Sequence, residues 1–238
     1  MIDVHSHVLP GMDDGSKNTE ESIEILKKMQ EQGVERVAAT SHFYADRETL
    51  DTFLRRREHS YRRLCEAMDE TDAPLPKVFL GAEVWYFEGI SHSDSLKPLR
   101  AEGTDILLLE MPFSKWTDRM LSEVAALSEE DDFTVLLAHI ERYLKWQKRE
   151  TLDSLLQRGV KLQSNAEAFL ERRTARKVMK MLERGQIHLL GSDCHNRTSR
   201  PPNYGDAIEK IRSRLGEDAI TYLADMERLL YPEPEGVH

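Results

Sequence analysis

The sequence contains little cysteine and no long apolar run. Its 238 residues include two cysteines, Cys65 and Cys194, which are too few for a disulfide framework and are not spaced like a zinc knuckle. No apolar stretch approaches the roughly 18–20 residues that span a membrane. The first residues also lack the basic and apolar regions of a secretion signal. We therefore expect a cytoplasmic protein with no membrane insertion.

Basic residues are outnumbered by acidic ones. The sequence has 33 Lys and Arg against 43 Asp and Glu, a formal net charge of −10. That balance disfavours a nucleic-acid partner, whose binding needs an excess of positive charge. An anionic substrate would also be repelled unless a local positive source opposed the overall field. Bound divalent cations would be such a source.

The hydrophobic pattern is typical of an α/β protein. Seven short apolar runs alternate with longer amphipathic stretches, and the most continuous runs resemble parallel strands buried on both faces. The runs are "MIDVHSHVL", "VERVAATSHF", "KVFLGAEVWY", "DILLLEMPF", "FTVLLAHIERY", "VKLQSN" and "IHLLGSDCH". With no linker and no internal repeat, this alternation predicts a single α/β domain over residues 1–230, a (β/α) barrel of about seven strands. Residues 231–238 are predicted to be a polar tail.

Helices are predicted between these runs. Asn18 and Glu21 have the spacing of a capping box, and apolar residues follow them at helical intervals. A longer amphipathic stretch extends from Arg47 to Glu70. Further helices are predicted near residues 117–130, 147–158, 171–184, 203–215 and 217–230.

Ionisable side chains stand at the carboxyl ends of the predicted strands. Six of the seven runs carry a His, Asp or Glu at or near their carboxyl end. In a barrel, the carboxyl ends of the strands form the face that holds active sites. The pattern therefore predicts one shared site formed by His5, His7, His42, Glu83, Glu110, His139, Asp193 and His195.

Each of these residues has an ordinary explanation when it is taken alone. A single His-x-His pair is often solvated, and a glutamate after an apolar strand is often a loop-entry charge. Residues i and i+2 of a strand share a face, however, so His5 and His7 can reach one ion. Glu83 and Glu110 would repel each other unless cations lay between them. The set together favours a multinuclear metal centre, whereas four other histidines fit no such pattern: His59, His92, His188 and His238.

The motifs also match a known family. In order they are "DVHSHVLPGMDDGS", "TSHF", "GAEVW", "LLLEMPF", "LAHIERY" and "GSDCHNRTSRPP". This set resembles the PHP (polymerase and histidinol phosphatase) superfamily, and within it the bacterial manganese-dependent protein-tyrosine phosphatases of the CpsB/YwqE type. The resemblance covers nearly the whole chain. It implies a distorted seven-stranded, TIM-like (β/α) barrel, the PHP fold.

The resemblance further implies nine ligands for three divalent metal ions. The ligands fall into three sets: His5, His7, Glu83 and Asp193 for the first ion; Glu83 as a bridge, with Glu110 and His139, for the second; and Asp14, His42 and His195 for the third. The family favours manganese, and imidazoles and carboxylates without thiolate are also compatible with Fe²⁺ or Zn²⁺. Adjacent residues cannot both point inward, so Asp13 is left as a loop or supporting residue.

The activity that the resemblance implies is hydrolysis of phosphotyrosine. Hydroxide activated at the trinuclear centre would attack phosphorus, while Arg142 and Arg200 would bind the phosphoryl oxygens through their guanidinium groups. The substrate would be a phosphotyrosine protein, a bacterial tyrosine autokinase that controls capsule or exopolysaccharide synthesis. The alternative is a phosphomonoesterase of the same superfamily that acts on a small metabolite such as histidinol phosphate. No oligomeric state follows from the sequence.

A second mechanism is present as a motif. Cys194 and Arg200 satisfy C-x5-R, the signature of cysteine-dependent tyrosine phosphatases. The intervening "HNRTS" has no glycine for a tight anion-binding loop, and Asp193 would raise the pKa of the thiol. We therefore expect turnover to survive the loss of the Cys194 thiol.

Overall fold

Nine strand segments form the sheet in the computed structural model, which describes residues 1–93, 96–129 and 132–232. They are β1 (Ile2–Ser6), β2 (Arg36–Ala39), β3 (His42–Phe43), β4 (Lys77–Leu80), β5 (Glu83–Trp85), β6 (Ile106–Glu110), β7 (Thr134–Leu137), β8 (Lys161–Asn165) and β9 (Leu189–Gly191). Every pairing between them is parallel. Because β2 continues into β3 across residues 40–41, and β4 into β5 across residues 81–82, the nine segments amount to seven strands.

The sheet curls until its last strand meets its first. The strand order is β1-β2-β4 and β3-β5-β6-β7-β8-β9. The Asp193 N–H donates to the His5 carbonyl at 2.7 Å, and the His7 N–H donates to the Cys194 carbonyl at 3.0 Å. The segment after β9 therefore lies against β1. This confirms the predicted α/β barrel, which is distorted by breaks in its second and third strands.

The described part of the chain contains eight α-helices, six between strands and two after the last strand. They are α1 (Thr19–Glu31), α2 (Leu50–Asp69), α3 (Asp118–Glu129), α4 (Arg149–Gln157), α5 (Ala166–Leu170), α6 (Ala175–Glu183), α7 (Tyr204–Leu215) and α8 (Glu217–Leu230). As predicted, Asn18 caps α1, and its side chain accepts the Glu21 N–H at 2.9 Å. None of the described helices is both long and apolar enough to cross a membrane.

The predicted helix over residues 171–184 is wrong at its start. Helix α6 begins only at Ala175, and the chain forms the separate short helix α5 before it. The Thr174 hydroxyl donates to the Ala168 carbonyl at 2.7 Å. Threonine side chains compete with helical backbone bonding in this way, so the two helices stay separate.

Apolar residues form two buried layers because side chains alternate across a strand. On β6, Leu107 and Leu109 lie in the layer between the sheet and the helices. Ile106 and Leu108 lie in the second layer, inside the barrel. Glu110 follows at the same two-residue interval and is buried. The register of β6 therefore carries the Glu110 carboxylate into the barrel mouth, above an apolar interior.

The chain is still packed on the barrel at Tyr231, the first residue of the predicted tail. Tyr231 is buried, and Arg36 Nη1 donates to its carbonyl oxygen at 2.7 Å. Residues 233–238 of that tail lie outside the described residues.

We expect His188 to make the stability of the fold depend on pH. It lies just before β9, and its Nδ1 accepts the Leu162 N–H at 3.1 Å. Burial, together with the nearby Lys161 charge, lowers its pKa from 6.5 to about 4. Between these values the unfolded chain binds the proton more readily than the folded chain does. Stability should therefore fall by about 3 kcal/mol as the pH drops from 6.5 to 4.

Unfolding free energies of metal-free protein, measured between pH 7 and pH 4, test this expectation. In His188→Gln the amide oxygen can still accept the Leu162 N–H, but the titration is gone, so the decline should be smaller. His59 is exposed on α2, and His59→Gln should leave the pH profile unchanged. Identical profiles for wild type and His188→Gln would show that His188 does not contribute.

Candidate metal centre

The first predicted set of ligands is buried where β1 and β9 end. The Nε2 atoms of His5 and His7 are 3.4 Å apart. Each lies 3.4 Å from an oxygen of Glu83, and they lie 3.6 and 3.5 Å from Asp193 Oδ1. All four side chains are buried. The strand ends thus bring two imidazoles and two carboxylates to one point.

Glu83 lies at the centre of the cluster. Its Oε1 is 2.9 Å from His139 Nε2, and its Oε2 is 2.8 Å from His42 Nδ1. Glu110 lies alongside, with Oε1 3.1 Å from His139 Nε2. One carboxylate therefore faces imidazoles on both sides, which is the arrangement expected of a bridging ligand.

Asp14 forms the open side of the cluster. Its side chain is 68% exposed, and its Oδ1 lies 3.4 Å from both His42 Nε2 and His195 Nε2. Together with His7, these residues offer four ligand atoms within 4.8 Å of one another. His7 and His42 therefore each approach two of the three predicted sets. The nine residues form one continuous cluster with a single exposed edge.

Several donor atoms of the cluster are buried and have no hydrogen-bond partner in the described part of the chain. They include His42 Nδ1, Glu83 Oε2 and His195 Nε2. The first two are only 2.8 Å apart but lack hydrogen-bond geometry. Unpartnered buried polar atoms are costly, whereas lone pairs that converge on a shared point suit a cation. Imidazole and carboxylate donors match Mn²⁺, Fe²⁺ or Zn²⁺, so the residues present fit divalent metals.

The charges in the cluster also favour cations. Burial alone would lower the pKa of His139, but the Glu110 and Glu83 carboxylates raise it to about 9. In the same way, Asp14 and Glu83 outweigh burial at His42 and raise its pKa to about 9. Metal ions bind neutral imidazole and so compete with these protons. Metal affinity should therefore increase with pH across the neutral range.

Two of the predicted ligands have a left-handed backbone conformation. Among the described residues other than glycine, only His139 and Asp193 have positive φ, at 34° and 52°. Such conformations cost of order 1 kcal/mol or more and persist where surrounding contacts fix them. Each residue lies two positions after the end of a barrel strand, β7 or β9, where the chain leaves the sheet.

Two glycines make room for the first two histidines. A Cβ atom on Gly15 would lie 2.3 Å from the His7 carbonyl oxygen, and one on Gly191 would lie 2.5 Å from the His5 Cβ. Both distances are far below van der Waals contact. Gly15 is therefore required by close packing against β1, in the loop that returns Asp14 to the cluster.

Asp13 supports the cluster, as expected for a residue beside a predicted ligand. Its Oδ2 lies 2.8 Å from His7 Nδ1 and accepts the His42 N–H at 3.0 Å. A carboxylate at the second ring nitrogen fixes the orientation of an imidazole and makes the first nitrogen a better donor to metal. Asp13 thus orients His7 Nε2 toward Glu83 and Asp193.

Strand β8 supplies supporting residues that the sequence reasoning missed. Gln163 Oε1 accepts the His139 N–H at 2.6 Å and lies 3.2 Å from His5 Nδ1. Asn165 Nδ2 donates to Asp193 Oδ2 at 2.9 Å. The run "VKLQSN" ends in neutral polar residues at positions where the other strands end in ionisable ones. This difference in residue type is the sequence feature that could have indicated a supporting role for β8.

The two predicted arginines meet at Asp193. Nη2 of Arg142 donates to Asp193 Oδ2, and Nη2 of Arg200 lies 2.6 Å from the same oxygen. Their side chains are 35% and 34% exposed. Both guanidinium groups therefore border the cluster while keeping donors available at its open side.

Cys194 is enclosed in the core. Its side chain is completely buried, and this burial, with the Asp3 charge nearby, raises the pKa of the thiol to about 12. A thiol in that setting stays protonated and out of reach of a substrate. The geometry thus agrees with the expectation that C-x5-R is coincidental.

Three of the four histidines set aside on sequence grounds are described by the structure, and these three take no part in the cluster. His59 and His92 are exposed, and His188 is bonded to the β8 backbone. His238 lies outside the described residues.

Aromatic rings form a wall along one side of the cluster. Tyr44 lies beside His42, with ring centroids 5.3 Å apart, and is followed by Trp85 at 6.1 Å. Phe113 lies 6.0 Å from Trp85 and stacks on His139 at 5.8 Å. It is 41% exposed, an unusual fraction for a large apolar residue of this protein. The wall offers ring faces next to the predicted metal ligands.

Comparison with known families decides the assignment of the chain. Residues 1–230 match the family described as "Capsular polysaccharide synthesis, CpsB/CapC". The chain belongs to the CpsB/CapC family. The matched range includes the positions of all nine predicted ligands and both predicted arginines.

Relatives of this CpsB/CapC member carry a named activity. The tyrosine-protein phosphatase CpsB of Streptococcus pneumoniae is 29% identical over 231 residues, covering 91% of each chain. The protein of the same name from Streptococcus agalactiae serotype III is 26% identical over 241 residues, covering 94% of each chain.

A solved structure confirms the fold. It comes from work on "YwqE from Bacillus subtilis and CpsB from Streptococcus pneumoniae, unique metal-dependent tyrosine phosphatases". The TM-score is 0.84 at 24% sequence identity, covering 98% of this chain and 96% of that chain. The predicted TIM-like barrel is therefore the fold of this CpsB/CapC protein.

Proposed function

We propose that this protein hydrolyses phosphotyrosine on proteins at a centre of three divalent metal ions, manganese in the natural state. The observation that carries the proposal is the convergence of nine donors, two arginines and an aromatic wall at one barrel mouth. The relatives named tyrosine-protein phosphatases support the choice of reaction. The ligands we assign are His5, His7, Asp14, His42, Glu83, Glu110, His139, Asp193 and His195.

The protein's own side chains bind and orient the phosphoryl group. Clustered divalent cations, when bound, lower the pKa of a water molecule and withdraw charge from a phosphoryl group. Arg142 and Arg200 bind the phosphoryl oxygens, and Asp193 holds both guanidinium groups in position. The positive charge of the two arginines stabilises the phosphoryl oxygens most strongly in the transition state, when negative charge builds up on those oxygens. Because Cys194 is buried, its thiol is not available to form a covalent phosphoenzyme.

The aromatic wall favours tyrosine as the group that carries the phosphate. Phe113 and Trp85 present ring faces beside the cluster, and offset aromatic pairs add about 0.5–1.5 kcal/mol beyond area burial. Phenolate also leaves readily, because the pKa of tyrosine is near 10, whereas an alkoxide is a much poorer leaving group. Both arguments favour phosphotyrosine over histidinol phosphate.

We assign the physiological substrate to a bacterial tyrosine autokinase of capsule or exopolysaccharide synthesis, acting in the cytoplasm. The family description, capsular polysaccharide synthesis, supports this assignment. Dephosphorylation of the purified kinase, followed with an antibody to phosphotyrosine, is its direct test.

Relative rates on two substrates test the proposed reaction. We expect kcat/KM for a phosphotyrosine peptide to exceed that for histidinol phosphate by at least about 100-fold, since the leaving groups differ so much in basicity. Phe113→Ala should raise KM for the peptide about three- to tenfold, since one aromatic contact is lost, and should leave histidinol phosphate turnover nearly unchanged. Leu229 is another exposed apolar residue, on α8, and Leu229→Ala is the control. Faster turnover of histidinol phosphate would establish the small-metabolite alternative.

A further inference from the structure

A cavity of about 590 Å³ opens beside the metal centre. It lies between the turn after β7 and the start of α6. Its lining contains one carboxylate, Glu141, which accepts the Ser164 hydroxyl and the Asn165 N–H. The other charged and aromatic side chains of the lining are Phe113, Trp146, Arg142, Lys145, Arg173 and Lys177. An anion in this cavity would be surrounded by positive charge on several sides.

The cavity is continuous with the metal centre. Arg142 lines the cavity and also donates to Asp193, one of the predicted ligands. Phe113 likewise lines the cavity and stacks on His139. A peptide whose phosphotyrosine occupies the metal centre can therefore extend into the cavity without leaving the protein surface.

Arg142 is paired with Asp193, but the other three cations of the cavity form no ion pair among the described residues. Lys145, Arg173 and Lys177 are exposed, and none forms an ion pair with an acidic group in residues 1–93, 96–129 or 132–232. Lys145 Nζ lies 3.9 Å from the centroid of the Trp146 ring, which holds it at the cavity edge. Three exposed cations therefore stand at this cavity without an ion pair to offset their charge.

The positive surface continues along α6. Lys177 also lines a neighbouring groove of about 450 Å³, together with Arg176 and Lys180. Lys177 and Lys180 are three residues apart and so share one face of the helix. We call Lys145, Arg173, Arg176, Lys177 and Lys180 the basic path. It starts at the active site and leads away from it.

The positive charge of the basic path is opposite in sign to the net charge of the protein. The chain carries a net charge of −10, so an acidic partner would be repelled by most of its surface. Clustered unpaired cations repel one another and gain nothing for folding. They do, however, attract and orient an acidic ligand. Charge complementarity therefore identifies the occupant as an acidic peptide segment.

We propose that the basic path binds acidic residues that flank the phosphotyrosine in the substrate protein. This inference rests on the proposed phosphatase function and specifies its substrate class. The metal centre binds the phosphoryl group, the aromatic wall binds the tyrosine ring, and the basic path binds the neighbouring carboxylates. Selectivity among phosphotyrosine proteins is then set by the acidic sequence around the tyrosine.

Three peptides and two double variants test the proposal. Each peptide has one phosphotyrosine, with four glutamates on its amino side, four on its carboxyl side, or glutamines on both sides. For the metal-loaded wild type, kcat/KM should be about tenfold higher for one glutamate peptide than for the glutamine peptide, as expected for two or three exposed charge pairs. The preference should shrink as salt rises from 0.05 to 0.5 M.

The double variant Arg173→Gln/Lys177→Gln should lose this preference. The matched control is Arg62→Gln/Arg63→Gln, which removes two exposed arginines from α2, and it should keep the preference. Binding of the same peptides with a non-hydrolysable phosphonate in place of the phosphate should show the same pattern in Kd. An equal preference in both double variants, or none in the wild type, would overturn the proposal.

Failure of the underlying function would look different. In that case the metal-loaded wild type would turn over none of the three phosphotyrosine peptides, including the glutamine peptide. Turnover of all three at equal rates would instead retain the phosphatase and exclude the role of the basic path.

Discussion

Removal of divalent metal should abolish hydrolysis of a phosphotyrosine peptide, and added Mn²⁺ should restore it. We expect a loss of at least about 1,000-fold, because metal ions contribute several kcal/mol of transition-state stabilisation in such sites. The structure gives the reason for so large a loss. The carboxylates and imidazoles converge with unpartnered atoms, and the one cysteine of the C-x5-R motif is sealed in the core. Nothing in the described cluster offers a second route to a nucleophile.

The measurement combines elemental analysis with activity before and after treatment with a chelator. We expect three metal ions per chain in active protein, and restoration by Mn²⁺ to a higher rate than by Zn²⁺ or Fe²⁺. Fewer than two ions per chain, with activity unaffected by the chelator, would contradict the metal-dependent mechanism.

Cys194→Ser is the matched variant for this experiment. It removes the thiol but keeps a small side chain, so most activity should remain and should still be lost on chelation. An inactive Cys194→Ser protein with full metal content, next to an active chelated wild type, would establish the cysteine mechanism instead.

Replacement of either arginine at the cluster should lower kcat/KM by about 100- to 1,000-fold, the usual effect of losing one donor to a developing oxyanion. Arg142 and Arg200 each hold a guanidinium group against Asp193 while staying about one-third exposed. Their free donors are thus oriented before substrate arrives. Arg142→Ala and Arg200→Ala should act mainly on kcat, because charge on the phosphoryl oxygens is greatest in the transition state.

Lysine should replace these arginines poorly. Its point charge cannot form the two parallel hydrogen bonds of a guanidinium group, so we expect Arg200→Lys to recover less than a tenth of the lost activity. Arg197 lies in the same loop, is exposed, and only approaches Glu24 at 4.0 Å. Arg197→Ala should therefore stay within about twofold of wild type, as surface charges contribute little.

Metal content separates two explanations for an arginine variant. Both guanidinium groups contact a predicted ligand, so loss of metal is a second route by which a variant loses activity. Unchanged metal stoichiometry with reduced kcat would support direct binding of the phosphoryl group. Loss of metal in parallel with activity would assign the arginines to positioning of Asp193.

The strands and most ligands were predictable because their signals are local. A run such as "DILLLE" alternates outward and inward residues, and its final glutamate continues the inward series. Six strands repeat this logic, and a parallel barrel gathers their carboxyl ends on one face. The ordinary helix signals, such as the Asn18 cap, are equally local.

Other features depended on contacts between distant segments. Gln163 and Asn165 support His5, His139 and Asp193 only because β8 lies between β7 and β9. The basic path combines Lys145 with Arg173 and with residues of α6, which no short sequence window links to Lys145. The separation of α5 from α6 has a local cause instead, the bond from the Thr174 hydroxyl to the Ala168 carbonyl, which helical periodicity does not show.

The stretch from His5 to Asp14 shows the division between the two levels. The sequence alone determined that His5 and His7 share one face of a strand. Its motif, through the family resemblance, implied Asp14 as a ligand and left Asp13 as a loop or supporting residue. Only the tertiary structure decided which side chains each aspartate faces. Close packing of Gly15 against His7 places Asp13 behind the imidazole and Asp14 in front of His42 and His195. The residue types in the sequence define the set of metal-binding side chains, and packing within the closed barrel determines the direction in which each side chain points.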